Sequence, residues 1–276
     1  MDVPPQTTPE TLLELDRVGI GFGGLRAVDD LSFSIQRGQI VALIGPNGAG
    51  KTTVFNLITG VYRPTGGQIR WRGQDITGLA PHRVAQLGIR RTFQTIRLFA
   101  GMTVLDNVIA GQHLQIRQHW WQGLLGTPAQ RREERALVAR AMAVLERLDL
   151  AGVAHENATA LPYGMQRRVE LARTLVANPA LIILDEPAAG LNENESAALN
   201  GTIRAIRDSG ITVFLVEHDM SVVMNVADNI VVINFGKKIA EGQPGEIRGN
   251  PQVIEAYLGQ DDDDDPLMHA IHQGHP

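Results

Sequence analysis

Ile40-Val41-Ala42-Leu43-Ile44-Gly45-Pro46-Asn47-Gly48-Ala49-Gly50-Lys51-Thr52-Thr53 is the stretch on which the reading of this chain turns. Five apolar residues run straight into Gly45–Thr52, which fits G-x-x-x-x-G-K-[ST]. Each part has a physical task. The glycines let the backbone curl so that several N–H groups point at phosphate oxygens. Lys51 supplies a positive charge between phosphates, and the Thr52 hydroxyl is a ligand for Mg²⁺. The apolar run reads as a strand and Val54–Thr59 as a helix ended by Gly60, the context such a loop requires.

Downstream, Leu181-Ile182-Ile183-Leu184-Asp185-Glu186-Pro187 repeats the same design, an apolar strand that ends in polar chemistry. In a parallel sheet, ligands bind at the carboxyl ends of the strands. Two adjacent carboxylates there suit a metal-holding Asp185 and a Glu186 that orients or deprotonates water. An acidic pair after a strand can also simply cap a helix; the phosphate loop upstream favours the chemical reading.

Between and around these two stretches the chain alternates. Strand-like runs stand at Leu12–Leu15, Leu31–Ile35, Ile69–Arg72, Ile211–Val216 and Ile230–Ile233, with Thr65-Gly66-Gly67 as a turn and a helix around Ser196–Arg207. Residues 88–178 are dominated by helical patterns. The longest is Pro128–Leu150, where Ala136, Ala139, Ala143 and Leu148 recur at helical spacing. Thr103 and Asp106 form a capping box. Strands alternating with helices predict an α/β chain with a parallel sheet, interrupted once by a helical insertion.

Bulk properties agree with a globular protein: 43% of the 276 residues are hydrophobic and 20% charged. Of the net charge of −5, five negative charges belong to Asp261–Asp265, so residues 1–260 are neutral and nucleic acid is disfavoured as a partner. The absence of cysteine excludes disulfides, thiolate zinc sites and thiol catalysis. Residues 1–10 read as a flexible leader without signal-peptide character, and no apolar stretch reaches bilayer length, which points to the cytoplasm. Residues 261–276 read as a disordered tail. Its His269, His272 and His275 are solvated there, with divalent-metal binding as the alternative. Trp120 and Trp121 read as packed aromatics of the helical insertion, with a membrane or partner contact as the alternative.

Leu161-Pro162-Tyr163-Gly164-Met165-Gln166, ahead of a helical run at Arg167–Ala177, resembles the signature L-S-G-G-Q of ABC proteins. The likeness extends well beyond it. Phe22-Gly23-Gly24-Leu25, the phosphate loop with Thr53-Val54-Phe55-Asn56, Arg91-Thr92-Phe93-Gln94, Tyr163-Gly164, Arg167-Arg168 and Asp185–Asn192 all belong to it. So do Glu217-His218-Asp219-Met220 and Ala256-Tyr257-Leu258-Gly259. Over roughly residues 11–260 the chain is similar to ATP-binding subunits of branched-chain amino acid ABC importers of the LivG type.

That resemblance implies an ABC ATPase fold, with a RecA-like phosphate-loop core about 11–87 and 179–260. An N-terminal antiparallel β region and an inserted α-helical subdomain about 88–178 complete it. It implies ATP and Mg²⁺ as cofactors. Phe22 would stack on adenine with Val28 beside it. Gly45, Pro46, Asn47, Gly48, Ala49, Gly50, Lys51, Thr52 and Thr53 would cradle the phosphates, and Thr52, Gln94 and Asp185 would serve the metal. Glu186, His218, Lys51 and Gln94 would carry catalysis. Tyr163, Gly164 and Met165 would meet the γ-phosphate of ATP held by a second ABC ATPase subunit. Ala189–Asn192 would form the D-loop, with Asn192 in place of the usual aspartate.

The partners implied are that second subunit, in a homo- or heterodimer, transmembrane permease subunits docked near Gln94 and, indirectly, a periplasmic solute-binding protein. The chain would then lie on the cytoplasmic face of the plasma membrane. Pro162 departs from the pattern, because it replaces the signature hydroxyl and leaves main-chain donors and the helix dipole. A different cargo (urea, other amino acids, an exported lipid) and a soluble non-transport ABC ATPase are the alternatives.

Overall fold

The computed structural model describes residues 10–92, 96–112 and 128–258, with the side chains of 128–130 left aside. The loop glutamine Gln94, the tryptophans Trp120 and Trp121, the leader up to residue 9 and the Asp/His tail lie outside the described residues.

Six strands form the central sheet: β3 (Ile40–Ile44), β6 (Ile89–Arg91), β7 (Leu181–Asp185), β8 (Thr212–Val216), β9 (Asn229–Asn234) and β10 (Lys237–Gly242). Their order is β10-β9-β3-β8-β7-β6, parallel except for the β9–β10 hairpin. All five residues of β3, of β7 and of β8 are buried, as expected for strands covered on both faces. Alternate residues feed two cores. Ile40, Ala42, Ile182, Leu184, Val213 and Leu215 face a helical layer, whereas Val41, Leu43, Leu181, Ile183, Phe214 and Val216 face the opposite way.

The second face is covered by helix α1 (Lys51–Ile58) and by an antiparallel sheet of order β2-β1-β4-β5. This sheet comprises β1 (Thr11–Phe22), β2 (Leu25–Gln36), β4 (Gly66–Trp71) and β5 (Gln74–Asp75). β1 and β2 are each 12 residues long, well beyond the short apolar runs that marked them. Bulges between Leu15 and Val18 break the alternation that a reading by period depends on. Gly66 pairs with Gly19 and opens β4, so of the expected turn Thr65–Gly67 only Thr65 precedes the strand. Phe55 of α1 is fully buried and meets Phe214 edge-on at 5.1 Å.

On the first face, α3 (Val104–Ala110), α4 (Pro128–Arg147) and α5 (Tyr163–Leu175) form the helical insertion, joined by α6 (Glu193–Asp208) and α7 (Met220–Val226). The Thr103–Asp106 capping box of α3 is present. The buried residues of α4 are Ala141 and Leu145, continued by Leu148, while Ala136, Ala139 and Ala143 are exposed. Alanine tolerates either face of a helix, and the buried leucines Leu145 and Leu148 set the orientation. Within 88–178, residues 89–91 pair with β7 as the edge strand β6, a place decided by tertiary hydrogen bonding and not by their polar composition.

Candidate functional site

Loops leaving β3, β7 and β8 meet at the carboxyl edge of the central sheet. The loop after β3 is pinned from two sides. A Cβ on Gly45 would stand 2.1 Å from the Ile233 carbonyl, and one on Gly50 (φ 103°) 2.5 Å from the Ala27 carbonyl. Only glycine permits both approaches. Gly236 N–H also donates to the Ala49 carbonyl at 3.0 Å, so the β9–β10 hairpin supports the loop directly. Lys51 opens α1 and folds back, donating to the Gly45 carbonyl at 2.5 Å and the Pro46 carbonyl at 2.9 Å. Burial holds its amine below the usual lysine range, and the nearby Glu186 carboxylate opposes that shift.

Asp185 ends β7 nearly buried, with Arg91 of β6 donating to its carboxylate at 2.6 Å. The same guanidinium donates to Asn56 of α1 at 2.8 Å, so Arg91 ties three elements together beneath the phosphate loop. Glu186 follows with φ 46°, a left-handed conformation costly for a residue with a side chain and common at working sites. Its N–H donates to the Val216 carbonyl, and its Oε2 lies 3.9 Å from His218 Nδ1. His218 is half-exposed (53%) and also lies 3.9 Å from Oε2 of Glu217, whose side chain is fully buried. Thus Lys51, Asp185, Glu186 and His218, read from separate motifs, converge on one edge.

For a metal, the exposed Thr52 hydroxyl in the first turn of α1 and the Asp185 carboxylate form a sparse oxygen donor set. Among the described residues no group of three or more His, Cys, Asp or Glu could hold an ion alone. This set suits Mg²⁺, which keeps waters and binds through one or two carboxylates plus substrate phosphates.

The aromatic side of the site differs from expectation. Phe22 is 46% exposed, and its ring is met edge-on by Tyr62 at 5.2 Å. Val28, expected beside Phe22, is 1% exposed and belongs to the core, because its position in β2 turns it toward the central sheet. Tyr62 flanks Phe22 instead, and no residue pattern in the sequence marked it.

The signature segment is the first turn of α5 itself, which begins at Tyr163 and not at Arg167. Its N-cap is Pro162, with no side-chain cap. Arg167 donates to the Tyr163 hydroxyl at 3.1 Å and to the Ala189 carbonyl at 3.3 Å, with its guanidinium 5.5 Å from the Tyr163 ring. A Cβ on Gly164 would come within 2.9 Å of Glu195, which closes a capping box with Asn192 at the start of α6. Tyr163 stays 47% exposed. Gly164 and Met165 are partly buried beside it, on the same helix end.

A glycine loop between a buried parallel strand and a helix, with two carboxylates on the next strand but one, defines a phosphate-loop nucleotide-binding protein. Comparison with known proteins narrows this class. The profile of the ABC transporter family matches residues 28–189, and that of the branched-chain amino acid ATP-binding cassette transporter matches residues 237–263. The high-affinity branched-chain amino acid transport ATP-binding protein BraF of Pseudomonas aeruginosa is 47% identical over 250 residues, covering 90% of this chain and 98% of its own. LivG of Escherichia coli K12, named likewise, is 46% identical over 252 residues, covering 91% and 99%. Among solved structures, the ADP conformation of an ATP-binding cassette of an ABC transporter superimposes with a TM-score of 0.78 at 30% identity, covering 91% of this chain and 99% of that one. A nucleotide-free ATP-binding cassette gives 0.78 at 31%. The chain belongs to the ABC transporter family, as one of its ATP-hydrolysing subunits.

Proposed function

We propose that this chain is the ATPase of an importer for branched-chain or closely related amino acids. The observation that carries the enzymatic part is the meeting of Lys51 at the start of α1, Glu186 after β7 and His218 after β8 on one sheet edge. In this reading residues 11–260 act as one ATP-binding domain, with the helical insertion as its second part. Phe22 and Tyr62 receive the adenine, and the loop Gly45–Thr53 with Lys51 holds the phosphates. Thr52 and Asp185, with Gln94, would hold Mg²⁺, which when bound supplies charge neutralisation on the phosphate oxygens. Glu186 takes a proton from, or orients, the attacking water, and His218 faces the γ-phosphate.

In this reading one chain makes half of each site, since α5 packs in the helical layer and α1 in the core on the other face of the sheet. A second ABC ATPase subunit presents its signature turn to the ATP, and closure of the pair drives the membrane partner. No helix among the described residues is long and apolar enough to cross a membrane. In the same reading, by analogy with the named relatives, the chain works from the cytoplasmic face through transmembrane permease subunits, and the solute reaches those from a periplasmic binding protein. Cargo is assigned from the named relatives at 46–47% identity and the matching C-terminal profile.

The test is ATPase turnover in proteoliposomes holding this chain with the membrane subunits that co-purify with it. Leucine-loaded binding protein is expected to stimulate turnover several-fold, and Glu186→Gln to abolish the stimulation. Stimulation by a urea-loaded binding protein alone would reassign the cargo. Purification without any hydrophobic subunit would end the transport reading.

A further inference from the structure

Glu217 stands between two loops of the site and has no part in the chemistry described above. Its side chain is wholly buried, at a position where β8 gives way to the loop that carries His218. A buried carboxylate must be paired or fully hydrogen-bonded to be tolerated. Here the acceptors are filled from two directions. Oε1 accepts the Ala188 N–H at 2.6 Å, from the loop that follows Glu186. Oε2 accepts the N–H groups of His218 at 3.2 Å and Asp219 at 3.4 Å, and faces the His218 ring nitrogen Nδ1 at 3.9 Å. One side chain therefore spans the Pro187–Asn192 loop and the His218 loop.

The span continues on the far side. Ala189, next to the Glu217 donor, accepts from Arg167, and Arg167 also grips Tyr163 at the start of α5. The turn at Tyr163, the loop at Ala188–Ala189 and His218 are thus joined by short, direct bonds. Within the proposed function, on which this step rests, the signature turn and the histidine serve different ATP molecules.

We propose that Glu217 is a positioning residue that makes the Pro187–Asn192 loop and His218 move as one body. It touches neither nucleotide nor attacking water, and acts only through the atoms it holds. A neutral amide of the same shape cannot reproduce this. Glutamine offers one acceptor oxygen, and its NH₂ group would face N–H donors on the other side.

Two measurements on the full chain decide the matter. The first is amide hydrogen exchange without turnover. Glu217→Gln is expected to speed exchange at least tenfold at Ala188–Leu191 and at His218–Asp219, while β3 and α1 keep wild-type protection. Unchanged protection at both loops would refute the clamp; equal loss across the whole chain would show a general folding role and refute it too. The second is a kinetic cycle with Glu217→Gln, His218→Ala and the double variant. Glu217→Gln is expected to lower kcat about tenfold with ATP KM within twofold, and to lower it no further when His218 is already alanine. Multiplying effects would mean that Glu217 does not act through His218. A wild-type chain that hydrolyses no ATP would defeat the proposed function alone, and amide exchange would still decide the clamp. Should Glu217→Gln fail to fold, Glu217→Asp, shorter by one methylene, takes its place with the same two expectations.

Discussion

Two helix starts, those of α1 and α5, differ from the starts of α3, α6 and α7. α3, α6 and α7 are closed by the side chains of Thr103, Asn192 and Asp219, which occupy the first N–H groups. α1 and α5 have Gly50 and Pro162 at the same position and no side-chain cap. The short helix α2 (Pro81–Gln86) also lacks one, but Pro81 there has no N–H to satisfy. Unfilled N–H groups at the positive end of a helix dipole are an anion site in waiting. The two differ in how much else is supplied. α1 is preceded by a loop pinned to Ile233 and Ala27 and carries Lys51 within it. α5 offers an exposed Tyr163 and main-chain donors. The first is a pocket that one chain can build; in the proposed function the second is used on another molecule.

The comparison can be broken most decisively on the α1 side. Glu186→Gln is expected to lower steady-state turnover by about 10²–10⁴-fold while ATP binding, measured at equilibrium, persists. Equal rates would remove Glu186 from the chemistry. Next comes Phe22→Ala, expected to raise the ATP KM about tenfold, with kcat nearly unchanged, because the ring is exposed and meets Tyr62 edge-on. The α5 side predicts a weaker response. Pro162→Ser, which restores a hydroxyl, is expected to change turnover by less than about threefold, since the N–H groups and dipole already act there. A rise by orders of magnitude would show that the main chain alone is a poor substitute.

The smallest effect concerns the buried carboxylate between the loops. Burial pushes the Glu217 pKa up, against the pull of the Ala188, Asp219 and His218 N–H groups and the His218 charge. The folded chain then holds that proton more tightly than the unfolded chain. Its contribution to stability is therefore full below the ordinary glutamate pKa and declines as pH rises through the folded-state value. Thermal melts are expected to show this decline in the wild type and a flatter profile for Glu217→Gln. An identical slope in both would place the pH dependence elsewhere.

What the sequence disclosed follows a physical line. β3, β7, β8 and β9 were legible because both their faces are buried, so an apolar run needs no partner to be recognised. The phosphate loop, Asp185 and Glu186 were legible because each stands directly after such a run, whereas His218 came from the family resemblance. β6, with Arg90 and Arg91, was not, since a short polar strand is specified only by its neighbour β7. The same holds for Tyr62, for the pairing of Arg91 with Asp185 and for the bonds of Glu217. Each depends on which loops end beside one another, and local pattern carries no trace of that. Val28, set beside Phe22 by the family resemblance, pairs across the hairpin with Ile20 and is buried, an orientation that a resemblance does not carry.

The bonds of Lys51 to Gly45 and Pro46 have a consequence for the heat of ligand uptake. The amine already closes a ring with its own loop, so the glycine backbone is ordered during folding. An arriving phosphate exchanges one set of oxygens for another around a fixed nitrogen. Nucleotide capture should then register in a calorimeter with a heat-capacity change close to what the buried adenine face alone provides, and with no added signature of a loop condensing from coil.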